Sequence, residues 1–430
     1  MKFTINPCVS IVGKIIVPGD KSISHRAIML GALAEGVTTV TGFLRGEDCL
    51  ATMRVFQQMG VVIDDDGEQL RIHGVGLHGL RAPSMALDVG NAGTCIRLLS
   101  GVMVGQTFAS ELIGDESIMK RPMMRVAKPL RQMGADIQVE EAGTPPIRIK
   151  PVKHLQGINY DSPIASAQVK SCVLLAGLYA EGETSVTEPG ISRDHTERML
   201  ESFGYILVEQ ANRVSLQGGG QLTATDIHVP GDISSAAFFL VAASIAKDGN
   251  VLIKNVGINP TRDGVITILN LMGADITLEN KRHVGAEPVA DIRVRSAKLK
   301  GINIPEHLVP LAIDEFPALF IAAACAEGET ILTGAKELRV KESDRIQAMA
   351  DGLQTLCIVA EPREDGIRIV GGQMQGGEIE SHGDHRIAMA FAIASVAAQD
   401  QIIINDVANV STSFPNFVEL GNSLGFDVTS

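Results

Sequence analysis

Lys21, Ser22, Ser24 and Arg26 lie within six residues of the stretch Val17-Pro18-Gly19-Asp20-Lys21-Ser22-Ile23-Ser24-His25-Arg26. The stretch reads as a strand end, a tight turn and the first turn of a helix. A helix N-terminus presents unpaired N–H groups and the positive end of the helix dipole, so two cations and two hydroxyls placed there make an anion site in outline. Similar polar clusters open other apolar segments. Gly90-Asn91-Ala92-Gly93-Thr94-Cys95-Ile96-Arg97 is a small-residue loop able to let an anion approach backbone N–H groups. Lys120-Arg121-Pro122 sets two cations before a proline-started helix, and Ser166-Ala167-Gln168-Val169-Lys170-Ser171 offers a hydroxyl and an amide at another helix start. In the second half, Ile313-Asp314-Glu315 brings two carboxylates to the start of a strongly apolar helix, where one is available as a general base. Lys341-Glu342-Ser343-Asp344-Arg345 and Gly383-Asp384-His385-Arg386 complete the set.

Each cluster also has a plain structural explanation. Asn91 is a suitable helix cap, Asp314 and Glu315 can cap the helix they precede, and the charged run around Lys341 can be a solvated face. The distribution of the clusters argues for more. Val229-Pro230-Gly231-Asp232 repeats Val17-Pro18-Gly19-Asp20 at an offset of 212 positions, 229 against 17. Where the first copy continues with Lys21, Ser22, Ser24 and Arg26, the second has Ile233, Ser234, Ala236 and Phe238. The turn survives because the fold needs it; the cations do not, so the fold does not need them.

A finer period lies within each half. Helices are expected to end in Ala34-Glu35-Gly36, Ala180-Glu181-Gly182 and Ala326-Glu327-Gly328, with glycine as the C-terminal cap and a β-branched strand after it. Second helices are expected to close at Met59-Gly60, Met133-Gly134, Phe203-Gly204, Met272-Gly273 and Leu424-Gly425, while the one near Leu353 to Cys357 lacks the glycine. These marks divide the chain into six units of about 70 residues, three per half, each a mixture of strands and two helices. Counted from the helix ends, Ser22, Gln168, Ser234, Asp314 and Arg386 occupy equivalent places near helix starts. The matching turns put domain junctions there, giving one domain of residues 1–19 with 232–430 and another of 20–231.

Composition narrows the partners. With 37 basic and 50 acidic side chains the net charge is -13, which argues against a nucleic acid or an anionic membrane and requires any anionic ligand to be held by a local cluster. Six cysteines without CxxC or His-Cys spacing read as reduced thiols of a cytoplasmic protein, with no zinc. Apolar runs are too short to span a bilayer, and no signal peptide is expected. Gly74-Val75-Gly76-Leu77-His78-Gly79 matches GxGxxG, but Pro83 follows where a helix should begin, so a dinucleotide site is not expected.

Pro18-Gly19-Asp20-Lys21-Ser22, Gly90-Asn91-Ala92-Gly93-Thr94, Lys341-Glu342-Ser343-Asp344-Arg345 and Gly383-Asp384-His385-Arg386 resemble, in order and spacing, the signature blocks of the 5-enolpyruvylshikimate-3-phosphate synthase family of enolpyruvyl transferases. The resemblance covers essentially the whole chain. It implies a two-domain inside-out α/β barrel of six βαβαββ units, with the active site in the interdomain cleft. It implies transfer of enolpyruvyl from phosphoenolpyruvate to the 5-hydroxyl of shikimate 3-phosphate with no cofactor or metal, in an expected monomer. Carried over by position, Lys21, Ser22, Arg26, Ser166, Ala167, Gln168, Asp314 and Lys341 would bind shikimate 3-phosphate. Lys21, Gly93, Arg121, Gln168, Arg345 and Arg386 would hold phosphoenolpyruvate, with Asn91, Thr94, Arg193 and His385 nearby. Lys21, Asp314 and Glu342 would be catalytic. His25, Leu98, Arg193-Asp194 and Thr412-Ser413-Phe414-Pro415 depart from the pattern of many relatives, the last where a familiar branch has a Lys, and this suggests a more divergent bacterial subgroup. The rivals are a UDP-N-acetylglucosamine enolpyruvyl transferase, whose loop cysteine has no counterpart near Lys120-Arg121-Pro122, a non-enzymatic anion-binding repeat protein, and an RNA-terminal phosphate cyclase, which the charge disfavours.

Overall fold

The computed structural model describes all 430 residues. The chain forms two compact units, Gly19–Val229 and Met1–Pro18 with Pro230–Ser430. The first contains helices α1 (Lys21–Leu33), α2 (Glu47–Gln58), α3 (Gly93–Met103), α4 (Met124–Gln132), α5 (Ala167–Gly177) and α6 (His195–Ser202). The second contains α7 (Ile233–Ile245), α8 (Gly264–Leu271), α9 (Phe316–Ala324), α10 (Arg345–Thr355), α11 (His385–Ala394) and α12 (Phe417–Leu424).

One pattern builds all six repeats, four in direct chain order and two by exchange of the leading strand. A strand leads into a central helix, the next strand pairs parallel to the first, a second helix follows, and two more strands add antiparallel. Leu87–Asp88 pairs parallel with Ser110–Ile113, which pairs antiparallel with Ile147–Lys150, which takes Asp136–Gln138 at its other edge. Asn159–Asp161, Glu183–Thr187, Arg213–Gln217 and Leu207–Gln210 repeat that order. The strands stand in six separate sheets rather than one closed barrel. Within each unit, helices such as α7 and α9 are apolar on every side and buried along nearly their whole length, as inward helices must be. Each unit has its own hydrophobic core.

The repeats close by exchange. Ser10–Ile15, which leads into α1, pairs parallel with Asp248–Gly257, the strand after α7. Ile227–His228, which leads into α7, pairs parallel with Ala34–Thr41, the strand after α1. The two Val-Pro-Gly-Asp turns are therefore the points where the chain passes from one unit to the other. A Cβ on Gly19 would lie 1.9 Å from the carbonyl oxygen of Gly42, so the turn admits no side chain there. Asp20 and Asp232 then cap α1 and α7, accepting from the backbone N–H of Ile23 and of Ser234 at 2.9 and 2.8 Å. The N-terminal strand Lys2–Asn6 joins Ile402–Asn405 and Asp427–Thr429, supplying the fourth strand of the last repeat.

Two expectations need correction. α5 and α9 end at Gly177 and Ala324, short of Gly182 and Gly328, and Gly36 lies inside the strand Ala34–Thr41. Gly36, Gly182 and Gly328, with φ of +108°, +88° and +91°, turn the chain into the strand and do not cap the helix. Pro122 does not start α4, which begins at Met124 after a 3-10 turn over Ile118–Lys120. The Gly218-Gly219-Gly220 run links Arg213–Gln217 to Leu222–Thr223 in a different sheet.

The second helices do end as expected. Gly60, Gly134, Gly204, Gly273 and Gly425 all adopt positive φ, and the equivalent position after α10 is Cys357, held at φ +63°. A side chain in the left-handed region costs about 1–2 kcal/mol, partly offset by the greater freedom glycine has in the unfolded chain. The Cys357 side chain is exposed. Cys357→Gly should therefore stabilise the chain by about 0.5–1 kcal/mol in urea unfolding; a loss of stability would contradict this account of the repeat.

Candidate functional site

In Gly19–Val229 side-chain hydrogen bonds tie the early turns of α1, α3 and α5 to one another or to a shared neighbour. Arg26, in the second turn of α1, donates through Nε to Thr196 Oγ1 at 2.7 Å and through Nη2 to Ser171 Oγ, in the second turn of α5, at 2.8 Å. Arg97, likewise early in α3, donates to Gln168 Oε1 at 2.5 Å, and Gln168 Nε2 donates to Thr94 Oγ1 at 3.1 Å. Aligned starts add their dipoles and collect the side chains of several repeats in one place.

Lys21 Nζ lies 2.9 Å from Asp48 Oδ2, and Arg26 Nη1 donates to the carbonyl of Ser22 at 3.0 Å. His25, beneath them, is fully buried with Nδ1 2.7 Å from Thr52 Oγ1. Burial, with Lys21 and Arg26 adding repulsion, pushes its imidazole down to about 3, so His25 is neutral and serves as packing and hydrogen bonding rather than as an acid.

At α3 the cap is Ala92, with no side-chain acceptor for the first N–H groups. Asn91 does not cap the helix: its amide donates to Asp115 Oδ2 at 2.6 Å and its carbonyl oxygen accepts from Arg121 Nη2 at 2.9 Å. Arg121 also donates to Ser117 Oγ at 3.1 Å. A Cβ on Gly93 would stand 2.6 Å from Arg121 Nη1, so the absent side chain is what admits the guanidinium to the helix start. Gly93, Thr94, Arg97, Arg121 and Gln168 thus form one cluster, in which two buried guanidinium groups meet a helix N-terminus. Ser166 and Ala167 begin α5, with the Ser166 N–H donating to Glu188 Oε1 at 2.7 Å. Arg193 is half-buried in the turn before α6.

The second unit holds the other cluster. Asp314 Oδ1 lies 3.4 Å from Lys341 Nζ and 3.5 Å from Arg345 Nη1, and its carbonyl accepts from Arg386 Nη1 at 3.0 Å. Arg345 is 1% exposed, so the charged run around Lys341 is no solvated face. It reaches Glu342 Oε2 at 2.6 Å and Asp384 Oδ2 at 2.8 Å. Burial opposes its charge, but Asp384 and Glu342, with Asp314 behind them, outweigh it and raise the guanidinium above its ordinary value. Burial likewise works against Asp384, yet Arg345 holds that carboxyl below the usual range. Asp384 caps α11 by accepting from the Arg386 N–H at 2.9 Å, and His385 follows it, buried.

Neither acid before α9 caps it through its side chain. Glu315 turns instead to the start of α7, where Ser234 Oγ donates to it and Arg262 Nη2 donates to Ser234 Oγ at 2.7 Å. A built-in carboxylate sits where the first copy has Lys21 and Ser22. Arg262, Glu188, Thr196 and Asp48 were not expected as site residues; their only sequence signal is a charge or hydroxyl in or beside an apolar segment. The Thr412–Pro415 stretch is organised by Phe414, fully buried against Phe239 and Phe417. Asn409 in the preceding turn donates to the Gly383 carbonyl at 2.7 Å, which ties this segment to the Asp384 turn. No group of three or more His, Cys, Asp or Glu side chains is arranged to hold a metal ion, and no helix is long and apolar enough to cross a membrane.

Comparison with known proteins agrees with this arrangement. Residues 5–420 match the family model described as EPSP synthase (3-phosphoshikimate 1-carboxyvinyltransferase). The 3-phosphoshikimate 1-carboxyvinyltransferase of Methylococcus capsulatus is 63% identical over 427 residues, 99% of this chain and 98% of that protein. That of Hydrogenovibrio crunogenus is 61% identical over 438 residues, covering 100% of this chain and 98% of that protein. The structure of EPSP synthase from Acinetobacter baumannii superposes with a TM-score of 0.89 at 58% identity, with 100% of both chains covered. With its repeats, its two polar clusters and relatives of this identity along its whole length, the chain belongs to the EPSP synthase family.

Proposed function

We propose that the protein transfers the enolpyruvyl group of phosphoenolpyruvate to the 5-hydroxyl of shikimate 3-phosphate, releasing phosphate, and that both polar clusters serve this one pair of substrates. The observation that carries the reading is Asp314, a carboxylate flanked by Lys341 and Arg345 at 3.4 and 3.5 Å, in a chain of this family. A pure anion trap has no use for an acid among its cations; a proton transfer does.

The substrates carry two phosphates and two carboxylates, which call for several cations, and guanidinium forks fit both groups. Arg26, fixed by Ser171 and Thr196, belongs with Lys21, Ser22, Ser166, Ala167, Gln168 and Lys341 as the shikimate 3-phosphate set. Arg121, Gly93, Gln168, Arg345 and Arg386 make the phosphoenolpyruvate set with Lys21, and Asn91, Thr94, Arg193 and His385 are further residues of the site. Asp314 takes the proton of the 5-hydroxyl as that oxygen bonds to C2 of phosphoenolpyruvate, and a proton delivered to C3 by Lys21 or Glu342 completes the addition. In the second step a proton leaves the new methyl group, the C2–C3 double bond re-forms and the C2–O bond to phosphate breaks. Glu342, hydrogen-bonded to Arg345 at 2.6 Å, is the carboxylate held for that proton. Phosphate is its own leaving group, so the reaction as written uses no metal or organic cofactor. The reading takes the enzyme to be a cytoplasmic monomer.

Mixing the protein with shikimate 3-phosphate and phosphoenolpyruvate should release phosphate only when both are present. Absence of release by the folded protein would refute the reading, and release with UDP-N-acetylglucosamine in place of shikimate 3-phosphate would favour the amino-sugar transferase. Glu342→Gln should suppress exchange of the phosphoenolpyruvate methylene hydrogens with solvent deuterium by about 10²-fold or more. Exchange at the wild-type rate would remove Glu342 from the proton-transfer step.

A further inference from the structure

Beside the shikimate 3-phosphate set lies a buried charge network that the reaction does not use. Glu188 is 4% exposed and sits at the end of the strand Glu183–Thr187. Its Oε1 accepts the Ser166 N–H at 2.7 Å, and its Oε2 accepts from Ser192 Oγ at 2.6 Å and from Lys170 Nζ at 3.0 Å. Lys170 continues to Glu197 Oε1 at 2.7 Å. Asn212 Nδ2 donates to the Glu188 carbonyl. Lys170 and Ser171 are neighbours on α5, and Thr196 and Glu197 are neighbours on α6, so this network lies directly against the one that fixes Arg26.

We infer that Glu188 is a positioning residue that clamps two loops of the shikimate 3-phosphate site, the Ser166-Ala167-Gln168 turn and the Ser192-Arg193 turn, in register with each other and with Arg26. The inference rests on the proposed function. A negative charge beside a phosphate pole repels the ligand, so Glu188 earns no place by its charge, which Lys170, shared with Glu197, only partly offsets. Its use lies in its geometry. An ionised carboxylate is an acceptor with about four lone-pair sites, and here it takes a backbone N–H, a hydroxyl and an ammonium at once. Glutamine in its place keeps the shape but can satisfy the Ser166 N–H only by turning an NH2 group toward Lys170 and Ser192. The two loops are then no longer held by one rigid acceptor. Gly93 and Arg121 are not among the partners of Glu188, and the α3 cluster meets the clamped turn only at Gln168, so the effect should fall mainly on shikimate 3-phosphate.

The test is steady-state kinetics of phosphate release with each substrate varied, alongside thermal unfolding. In E188Q the KM for shikimate 3-phosphate should rise about 10-fold, with kcat and the KM for phosphoenolpyruvate within about threefold of wild type. Asn212→Ala removes an exposed donor that steadies the Glu188 backbone; it should fold as wild type and raise the same KM about threefold. An active wild type beside variants whose two KM values are unchanged, or rise together, overturns the inference alone. Should E188Q fail to fold, Asn212→Ala decides: an unchanged KM for shikimate 3-phosphate overturns the inference. A wild type that releases no phosphate overturns the functional reading, and the inference with it.

Discussion

Three central helices that start side by side impose one constraint on each unit. Each N-terminus carries about half a positive charge and unpaired N–H groups, and the registers of Arg26 with Ser171, Arg97 with Gln168 and Arg386 with Asp314 bring these ends together. The fold balances most of them with its own carboxylates. Asp20, Asp232 and Asp384 cap α1, α7 and α11, and Glu188 accepts the N–H that opens α5. Within Gly19–Val229 α3 is the exception, for it begins at Ala92 and Gly93 without an acidic cap and has Arg97 and Arg121 beside it. The strongest demand for an anion in Gly19–Val229 therefore stands at α3, at the residues that the family resemblance assigns to phosphoenolpyruvate.

The internal repeat shows how one element serves two ends. The turn and aspartate cap are common to both copies, but after the second cap Ser234 and Arg262 engage Glu315 from the next repeat. A helix start that carries its own carboxylate is a piece of structure. Breaking such a buried pair by removing one partner typically costs about 3–5 kcal/mol, because the other charge is left uncompensated. The first copy has Lys21 and Ser22 at its helix start, only 18% of the Lys21 side chain exposed and its partner Asp48 on α2. Arg345 shows the same logic in reverse: fully buried, it is held by Asp384 and Glu342 while one nitrogen faces Asp314, so its position is set before any substrate arrives.

Local patterning carried much of this. The Val-Pro-Gly-Asp repeat marked the crossing points because a turn that excludes a Cβ leaves a glycine in the sequence, and the second-helix glycines were legible because positive φ selects that residue. Their absence at Cys357 was visible too, although only the backbone shows that the conformation is kept and the side chain tolerated. Contacts between repeats were not legible. Whether Asn91 caps a helix or holds Arg121, and whether Glu315 caps α9 or crosses to Ser234, depends on which repeats adjoin, and periodicity does not encode that. Glu188, Lys170 and Glu197 were hidden for the same reason, since a charge in an apolar segment is informative only once its partners are known.

We propose α3 and Arg121 as the pole that binds phosphoenolpyruvate. The direct measurement is calorimetric titration of phosphoenolpyruvate into the protein saturated with shikimate 3-phosphate, for the wild type and for Arg121→Met. A charge-assisted hydrogen-bond pair of about 1.5–3 kcal/mol corresponds to a loss of roughly 10- to 100-fold in affinity. The account predicts that loss for phosphoenolpyruvate, with the affinity for shikimate 3-phosphate unchanged. Phosphoenolpyruvate binding as tight as in the wild type, or an equal loss for both substrates, would contradict it.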